Sequence, residues 1–229
     1  MSFPNQTWSP ADLAYEKIKQ GILALRYPPG EKLSEVRLAS ELQLGRSPVR
    51  SALSRLEGEN WVKVFPQSGT FVREVDPREV EELAELRLLL ETHTTRIAAL
   101  HISAAELEQL RGEFDALKAK GAEDHIADFW ALDDHFHSTI YRVAGNRRIE
   151  EILRNLKDQI RWVRAATATL PGRVTESLLE MDRVLDAMEV RDSDAAAKAM
   201  SRHIGNIATS FKTMPRDQLS RIGKADDRG

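Results

Sequence analysis

The clearest pattern of hydrophobic and polar positions lies in residues 46–57, RSPVRSALSRLE. At about 100° per residue this segment forms a helix with two chemically distinct faces. The apolar residues with the spacing of a buried stripe are Val49, Ala52, Leu53 and Leu56. The polar residues gathered opposite them are Arg46, Ser47, Arg50, Ser51 and Ser54. Such a face suits the edges of bases or phosphates in a DNA major groove, although a solvated helix surface would look similar.

The surroundings of this helix favour the DNA interpretation. Ser34 is placed to cap a short preceding helix, and Gln43-Leu44-Gly45 is a tight connector in which Gly45 offers an unusual backbone dihedral. Pro48 fits the first turn of the second helix, where its missing N–H is not needed. Two short helices joined by a brief turn are typical of a helix-turn-helix, whose second helix enters the major groove.

A β-hairpin is predicted directly after the second helix. Asn60 is expected to end the helix in a left-handed conformation. Residues 61–65 and 70–72 then read as two strands around the turn Pro66-Gln67-Ser68-Gly69. Gly69 would let the backbone approach a minor groove or a phosphate, but it could equally be an ordinary turn glycine.

From Asp76 the pattern changes to continuous helical periodicity. Asp76-Pro77 reads as an N-cap followed by a first helical residue, so it marks a domain boundary. Breaks at positions 102–103, 121, 145–146, 171–172 and 191–192 divide the chain as far as residue 214 into six helices without a strand. Residues 215–229 are polar and lack periodicity, which predicts a disordered tail. The predicted fold is therefore mainly α, with a winged helix-turn-helix in 1–75 and a helical bundle in 76–214.

Composition narrows the class of protein. The 229 residues are 41% hydrophobic and 30% charged, as in ordinary globular proteins. The absence of cysteine excludes disulfides and thiolate metal sites, and it suits a cytoplasmic location. The apolar runs are too short for a membrane span. The net charge of −3 is unevenly distributed: residues 1–75 carry 10 Lys and Arg against 8 Asp and Glu, a net +2, which leaves −5 for the rest. The predicted DNA-binding half is thus mildly basic.

Four polar residues lie on, or on the shoulder of, otherwise apolar helix stripes in the second half. Arg87 shares its stripe with apolar residues, so it is either a clamp for a ligand carboxylate or an internal partner of Glu91. Asp133 and His137 are one turn apart and can chelate a metal ion or hydrogen bond to each other. His203, with Asn206 beside it, interrupts the stripe of the last helix and is most simply a core histidine.

Together, however, Asp133, His137 and His203 supply two imidazoles and a carboxylate. This donor set suits Zn²⁺, Fe²⁺, Mn²⁺ or Ni²⁺. Periodicity leaves open whether Arg161 and Arg164 enter a pocket or cross a dimer interface, and it places His93, His101 and His125 at the surface or in hinges.

Residues 11–75 resemble the winged helix of the GntR family of bacterial transcription regulators. The stretches SEVRLASEL, RSPVRSALSRLE and PQSGTFV carry the likeness. The chain departs from the usual pattern at Gly45, Ser47, Ser51 and Ser68, which affects the operator sequence rather than the fold. In relatives an arginine of the preceding helix also touches DNA. That position is Val36 here, and the adjacent Arg37 is a weaker candidate.

Residues 77–214 resemble the FadR-type C-terminal domain, FCD, through LRLLLET, LDDHFHSTIYRVAGN and DAAAKAMSRHI. In the metal-binding branch of that domain, an Asp and a His four residues apart join two later histidines. Asp133, His137 and His203 match three of these positions. The fourth is Met181, whose thioether is a poor ligand for such ions and whose spacing also fits core packing.

The resemblance implies a homodimeric repressor that binds a two-fold symmetric operator and releases it when a small organic acid binds the helical domain. Sugar acids, hydroxy acids and dicarboxylic acids are the expected effectors, with Arg87 and Asn206 as contacts. A metal-responsive regulator is one alternative. A metal-dependent enzyme tethered to DNA is another, but the sequence has no well-placed general base beyond Asp134 or His135 and no phosphate-binding loop, so we do not expect an enzyme.

Overall fold

The computed structural model describes residues 8–215, so residues 216–229 of the predicted tail lie outside the described part of the chain. The described residues form two compact units that meet in sequence between Asp76 and Pro77. Each unit is built around its own apolar interior. The helices and strands confirm a mainly α chain with a small antiparallel sheet in its N-terminal unit.

The first unit contains three helices and three strands. Its elements are α1 (Pro10–Leu23), β1 (Lys32–Leu33), α2 (Glu35–Leu42), α3 (Arg46–Gly58), β2 (Val62–Phe65) and β3 (Gly69–Val72). The predicted hairpin is present as β2 and β3, paired antiparallel from Val62 opposite Val72 to Phe65 opposite Gly69. The two-residue strand β1 was not predicted, and it pairs with the other edge of β3.

The turn between α2 and α3 corrects one detail of the sequence analysis. The Ser34 side chain accepts a hydrogen bond from the Arg37 amide and caps α2 as predicted. The left-handed residue of the turn is Gln43, at φ 55°, whereas Gly45 has an extended conformation at φ −68° and ψ 161°. Gln43 takes the position that ends α2, and Gly45 instead precedes the first turn of α3. Asn60, at φ 62°, is left-handed as predicted.

The first unit closes around the apolar faces of α1 and α3. The core residues contributed by these helices and by α2 are Ala14, Ile18, Ile22, Leu38, Val49, Ala52, Leu53 and Leu56. Trp61, between α3 and β2, is also buried. The predicted stripe of α3 is therefore its buried side, which leaves the opposite side to solvent.

The second unit consists of the six predicted helices and a short 3-10 helix at Ala122–Asp124. The six are α4 (Pro77–His101), α5 (Ala104–Lys120), α6 (Ile126–Val143), α7 (Arg147–Thr167), α8 (Arg173–Glu189) and α9 (Ser193–Thr213). Local chemistry sets the boundaries. Ser103 and Glu106 form a capping box at the start of α5, and the side chains of Asn146 and Asp192 cap α7 and α9.

Packing in the second unit brings α4 against α9 and α8 against α9, while α5 contacts α6 and α8. Phe114 of α5 and Phe136 of α6 meet edge to face at 5.6 Å in the apolar interior. Arg111 of α5 binds three carboxylates of α8, those of Asp182, Asp186 and Glu189, at 2.7, 2.7 and 2.8 Å. Between residues 8 and 215, no helix is long and apolar enough to cross a lipid bilayer.

Candidate functional sites

The solvent side of α3 carries all four of the polar residues predicted to meet DNA. Arg46, Ser47, Arg50 and Ser51 are exposed, while the apolar stripe behind them is buried. The rigid packing of that stripe on α1 holds the four side chains on one surface. Their hydroxyl and guanidinium donors are the groups that read base edges and phosphates.

Acidic residues of the first unit hold two of the candidate arginines. Arg50 donates to Glu35 of α2 from Nε at 3.1 Å and from Nη2 at 3.0 Å. Arg37 contacts Glu31 and, at 3.3 Å, Glu41. The hydrogen bond from Arg50 lowers the pKa of Glu35 below its usual value. DNA phosphates would compete with the carboxylates for both guanidinium groups.

The wing places Gly69 at the first position of β3. Its φ of 114° is a conformation that residues with a side chain rarely adopt. A Cβ atom there would lie 2.9 Å from Cε of Lys32. Phe65, which is half exposed at the end of β2, packs edge to face on Phe71 at 5.6 Å. Gly69 thus gives the hairpin a turn that other residues would strain.

In the second unit, Asp133, His137 and His203 do come together, as the family resemblance predicts. One potential ligand atom from each lies within 4.8 Å of the others, and all three residues are buried. Asp133 and His137 project from α6, and His203 projects from α9. The rings of His137 and His203 are 5.6 Å apart.

Arg164 of α7 is the residue of this cluster that the sequence analysis left undecided. It is buried, its Nη1 donates to Asp133, and its Nη2 lies 2.9 Å from Nε2 of His137. Leu153, Ile160 and Arg164 recur at the spacing of one helix face, and all three are buried. That spacing could have placed Arg164 inside the bundle, but it could not have named its partners.

Glu91 of α4 lies behind His137. Its carboxylate is 2.5 Å from Nε of Arg87 and 3.0 Å from Nδ1 of His137, and it is fully buried. Burial alone would raise the pKa of Glu91, but Arg87 and His137 hold it well below its usual range. Of the two roles considered for Arg87, the internal ion pair with Glu91 is thus present.

Glu180 of α8 is the carboxylate partner of His203, just as Glu91 is the carboxylate partner of His137. Glu180 accepts from Nδ1 of His203 at 2.9 Å, from Nη2 of Arg173 at 2.9 Å and from Nδ2 of Asn206 at 2.8 Å. Burial lowers the pKa of His203 to about 4 despite this carboxylate. Asn206 therefore contacts the cluster through Glu180. Met181, the fourth position of the family's ligand set, is fully buried in the apolar core.

These contacts orient both histidines in one way. Each ring directs Nδ1 to a carboxylate, which assigns the proton to Nδ1 and leaves the lone pair of Nε2 facing the cluster. The Nε2 atom of His203 is buried without a hydrogen-bond partner. The orientation of the two imidazoles alone would suit a metal ion. The Arg164 guanidinium, however, contacts Asp133 and His137, which are two of the three possible metal ligands, and the fourth ligand position is Met181. With these residues in place, the cluster does not fit a divalent ion.

A cavity of 170 Å³ lies between α6 and α7 on the other side of His137 and Arg164. Its basic residues are Arg154, Lys157, Arg161 and Arg164. His137, Ser138 and Tyr141 add polar atoms, Leu153 and Ile160 are apolar, and Asp134 and Glu150 are its acidic residues. Because Lys157 pairs with Asp134 at 3.1 Å and Arg164 pairs with Asp133, the guanidinium groups of Arg154 and Arg161 face the remaining carboxylate, that of Glu150. The cavity is suited to a small anion.

Comparison with known proteins identifies a family for each of the two units. Residues 82–206 match the FCD domain family, and residues 10–72 match bacterial regulatory proteins of the gntR family. The chain is 25% identical over 201 residues to the HTH-type transcriptional repressor RspR of Escherichia coli strain K12, covering 86% of this chain and 87% of that protein.

Another relative is an HTH-type transcriptional regulator of Streptomyces ambofaciens, 31% identical over 193 residues, with 83% of this chain and 80% of the relative covered. A crystal structure described as a GntR regulator from Rhodococcus sp. RHA1 superposes with a TM-score of 0.70 at 20% identity, covering 91% of this chain and all of the other. These families consist of transcription regulators rather than enzymes, as expected. The chain is a DNA-binding transcription regulator of the GntR family with an FCD domain.

Proposed function

We propose that this regulator is a repressor and that a small organic acid bound in the cavity between α6 and α7 releases it from its operator. The observation that supports the proposal is the excess of guanidinium groups around a 170 Å³ cavity that reaches the buried His137 and Arg164. A sugar acid, hydroxy acid or dicarboxylic acid offers the carboxylate that arginine binds in bidentate fashion, and hydroxyl groups for Ser138 and Tyr141.

The contacts of Arg87 and Asn206 favour a different pair of residues for the carboxylate of the acid. Arg87, proposed from the sequence, is 3% exposed and already bound to Glu91. Asn206 donates to Glu180 and does not line the cavity. We therefore assign the acid to Arg154 and Arg161, which line the cavity, and give Arg87 and Asn206 supporting roles behind the site.

A route from the cavity to the DNA-binding unit follows from chain connectivity. The cavity residue His137 contacts Glu91 of α4, and α4 begins at Pro77, shortly after β3 ends at Val72. An acid that moves His137 would act on α4 through Glu91. In a homodimer on a two-fold operator, recognition helices must be about 34 Å apart, so a small change in their spacing weakens binding.

The relative RspR, which is named a repressor, supports repression as the mode of action. The metal-responsive alternative has less support, because Arg164 already contacts the donors of the metal cluster. The enzyme alternative is not retained, since the families matched are regulators.

The test combines calorimetry with binding to the DNA upstream of the protein's own gene. A panel of sugar, hydroxy and dicarboxylic acids is titrated into the pure protein, and each acid that binds is added to the protein–DNA complex. We expect one class of acid to bind and to dissociate the complex. Arg161→Ala should weaken acid binding about tenfold or more, because a charge-assisted contact is lost. Arg148→Ala, the same change on the exposed start of α7, is the control. Specific DNA binding that no acid alters would contradict the proposal.

A further inference from the structure

We infer that the guanidinium of Arg164 is the resident cation of the Asp133, His137 and His203 cluster, and that this protein builds its effector domain without a metal ion. The inference concerns how the site is held together. It stands whether or not an organic acid proves to be the effector.

The first support is the position of the guanidinium. Its two terminal nitrogens contact Oδ2 of Asp133 and Nε2 of His137, so the guanidinium lies against two of the three groups that would bind a metal. The cavity beside Asp133, Arg164 and His203 is only 10 Å³, about the smallest volume that holds a single water molecule. A divalent ion and the Arg164 side chain would therefore compete for the same place.

The second support is the charge balance of the buried groups. Three acids and three arginines pair across the bundle: Glu91 with Arg87, Asp133 with Arg164, and Glu180 with Arg173. These three buried ion pairs are neutral as they stand. A divalent ion would add two positive charges to a low-dielectric interior without a compensating anion.

The third support is the ligand count. Met181, at the family's fourth ligand position, belongs to the apolar core. A closed site for zinc uses four protein ligands, and three remain here. The unpartnered Nε2 of His203 is explained as the donor that neither Arg164 nor a fourth ligand reaches. The missing fourth ligand and the arginine within the cluster both argue against a bound metal ion.

The test measures metal binding by the full-length protein and by variants of Arg164. The parent protein should hold no stoichiometric metal as purified, should bind Zn²⁺ and Ni²⁺ weakly in calorimetric titrations, and should have the same thermal midpoint with and without EDTA. Arg164→Ala frees both donors and leaves a net negative charge, so its affinity for Zn²⁺ should rise about tenfold or more. Arg161→Ala removes the same charge one turn earlier and frees neither donor, so it should bind Zn²⁺ like the parent.

Further measurements control for misfolding of Arg164→Ala and for the ligands of the bound Zn²⁺. If Arg164→Ala unfolds at room temperature, Zn²⁺ should restore its helical circular dichroism, and failure to do so would overturn the inference. Adding His203→Gln to Arg164→Ala should abolish the gain in affinity. Stoichiometric zinc in the parent, or a fall in its thermal midpoint with EDTA, would also overturn the inference. None of these metal-binding results bears on whether an acid releases the protein from DNA.

Discussion

Glu35 of α2 accepts three hydrogen bonds from Arg50 of α3, so the protein itself provides the partner that a DNA phosphate or guanine must replace. The Arg50 side chain remains 71% exposed, so the exchange needs no unfolding. Glu35→Gln should tighten DNA binding several-fold, because it frees Arg50 and removes a negative charge near the phosphates. Affinity is measured by fluorescence anisotropy at two salt concentrations. Glu16→Gln makes the same charge change on α1. Weaker binding by Glu35→Gln would mean that the pair positions Arg50 for DNA.

Arg46 lies one turn before Arg50 on the exposed side of α3. Arg46→Ala should lose about 1–3 kcal/mol of discrimination between operator and random DNA, since a bidentate contact to a base is lost. Competition assays with both DNAs measure this difference. Arg148→Ala, in the other unit, should leave the ratio unchanged. Equal losses on operator and random DNA would assign Arg46 to phosphate instead.

Gly69→Ala should destabilise the first unit by about 1–3 kcal/mol, because φ at this position is far from the values that alanine adopts. The contact with Cε of Lys32 adds little, since the end of that side chain can move. Urea unfolding measures the change. Gly58→Ala, at the end of α3 with no atom within 4 Å of the new Cβ, should be neutral or slightly stabilising. Equal effects of the two substitutions would exclude backbone strain at Gly69.

Arg87→Met should lower the free energy of unfolding by about 3–5 kcal/mol, because Glu91 would keep a buried charge without its main partner. The double variant Arg87→Met with Glu91→Gln removes both charges and should regain at least half of that loss. Urea unfolding of the parent, both single variants and the double variant gives the coupling energy. A double variant no more stable than Arg87→Met would show that the ion pair is not the source of the effect.

Glu106 gives the protein an acid-sensitive helix start. Hydrogen bonds from Ser103, and a further one from Arg142, lower the pKa of Glu106 from 4.5 to about 2. A carboxylate with a depressed pKa stabilises the fold fully above pH 4.5, and the contribution is lost as the pH falls towards 2. In that range the parent should lose about 1 kcal/mol more than Glu106→Gln, a figure discounted for the partly exposed site. Unfolding at pH 3 and pH 6 measures the difference. Parallel curves for the two proteins would contradict the assignment.

The sequence predicted the helices well because several of their boundaries have a local chemical cause. Ser34, Ser103, Asn146 and Asp192 cap helices with their own side chains. The strand β1 was missed because two residues cannot display an alternating pattern, and it forms only through pairing with β3. Gly45 was assigned the unusual dihedral because glycine tolerates it best, yet the chain places that dihedral at Gln43.

Helical periodicity predicts which side of a helix a residue occupies, and the candidate sites could be predicted from the sequence only to that extent. It placed Asp133, His137 and His203 inside the bundle, and family resemblance brought them together. Periodicity could not identify Arg164 or Glu180 as their partners, because these lie on two other helices. Partners across a bundle depend on how helices pack, and a single sequence carries no direct record of that packing.

The binding of Arg111 to α8 has a consequence for how the second unit forms. Asp182, Asp186 and Glu189 lie four and three residues apart, so they share one side of α8 and repel one another in an isolated helix. Arg111 contacts all three, and Lys118 adds a bond of 2.8 Å to Asp182. The docked arrangement also fixes the register, since sliding α8 by one turn, about 5.4 Å, would misalign the three carboxylates with the three guanidinium nitrogens. Docking on α5 therefore stabilises α8 in addition to its packing on α9, and it fixes the position of α8 along the bundle.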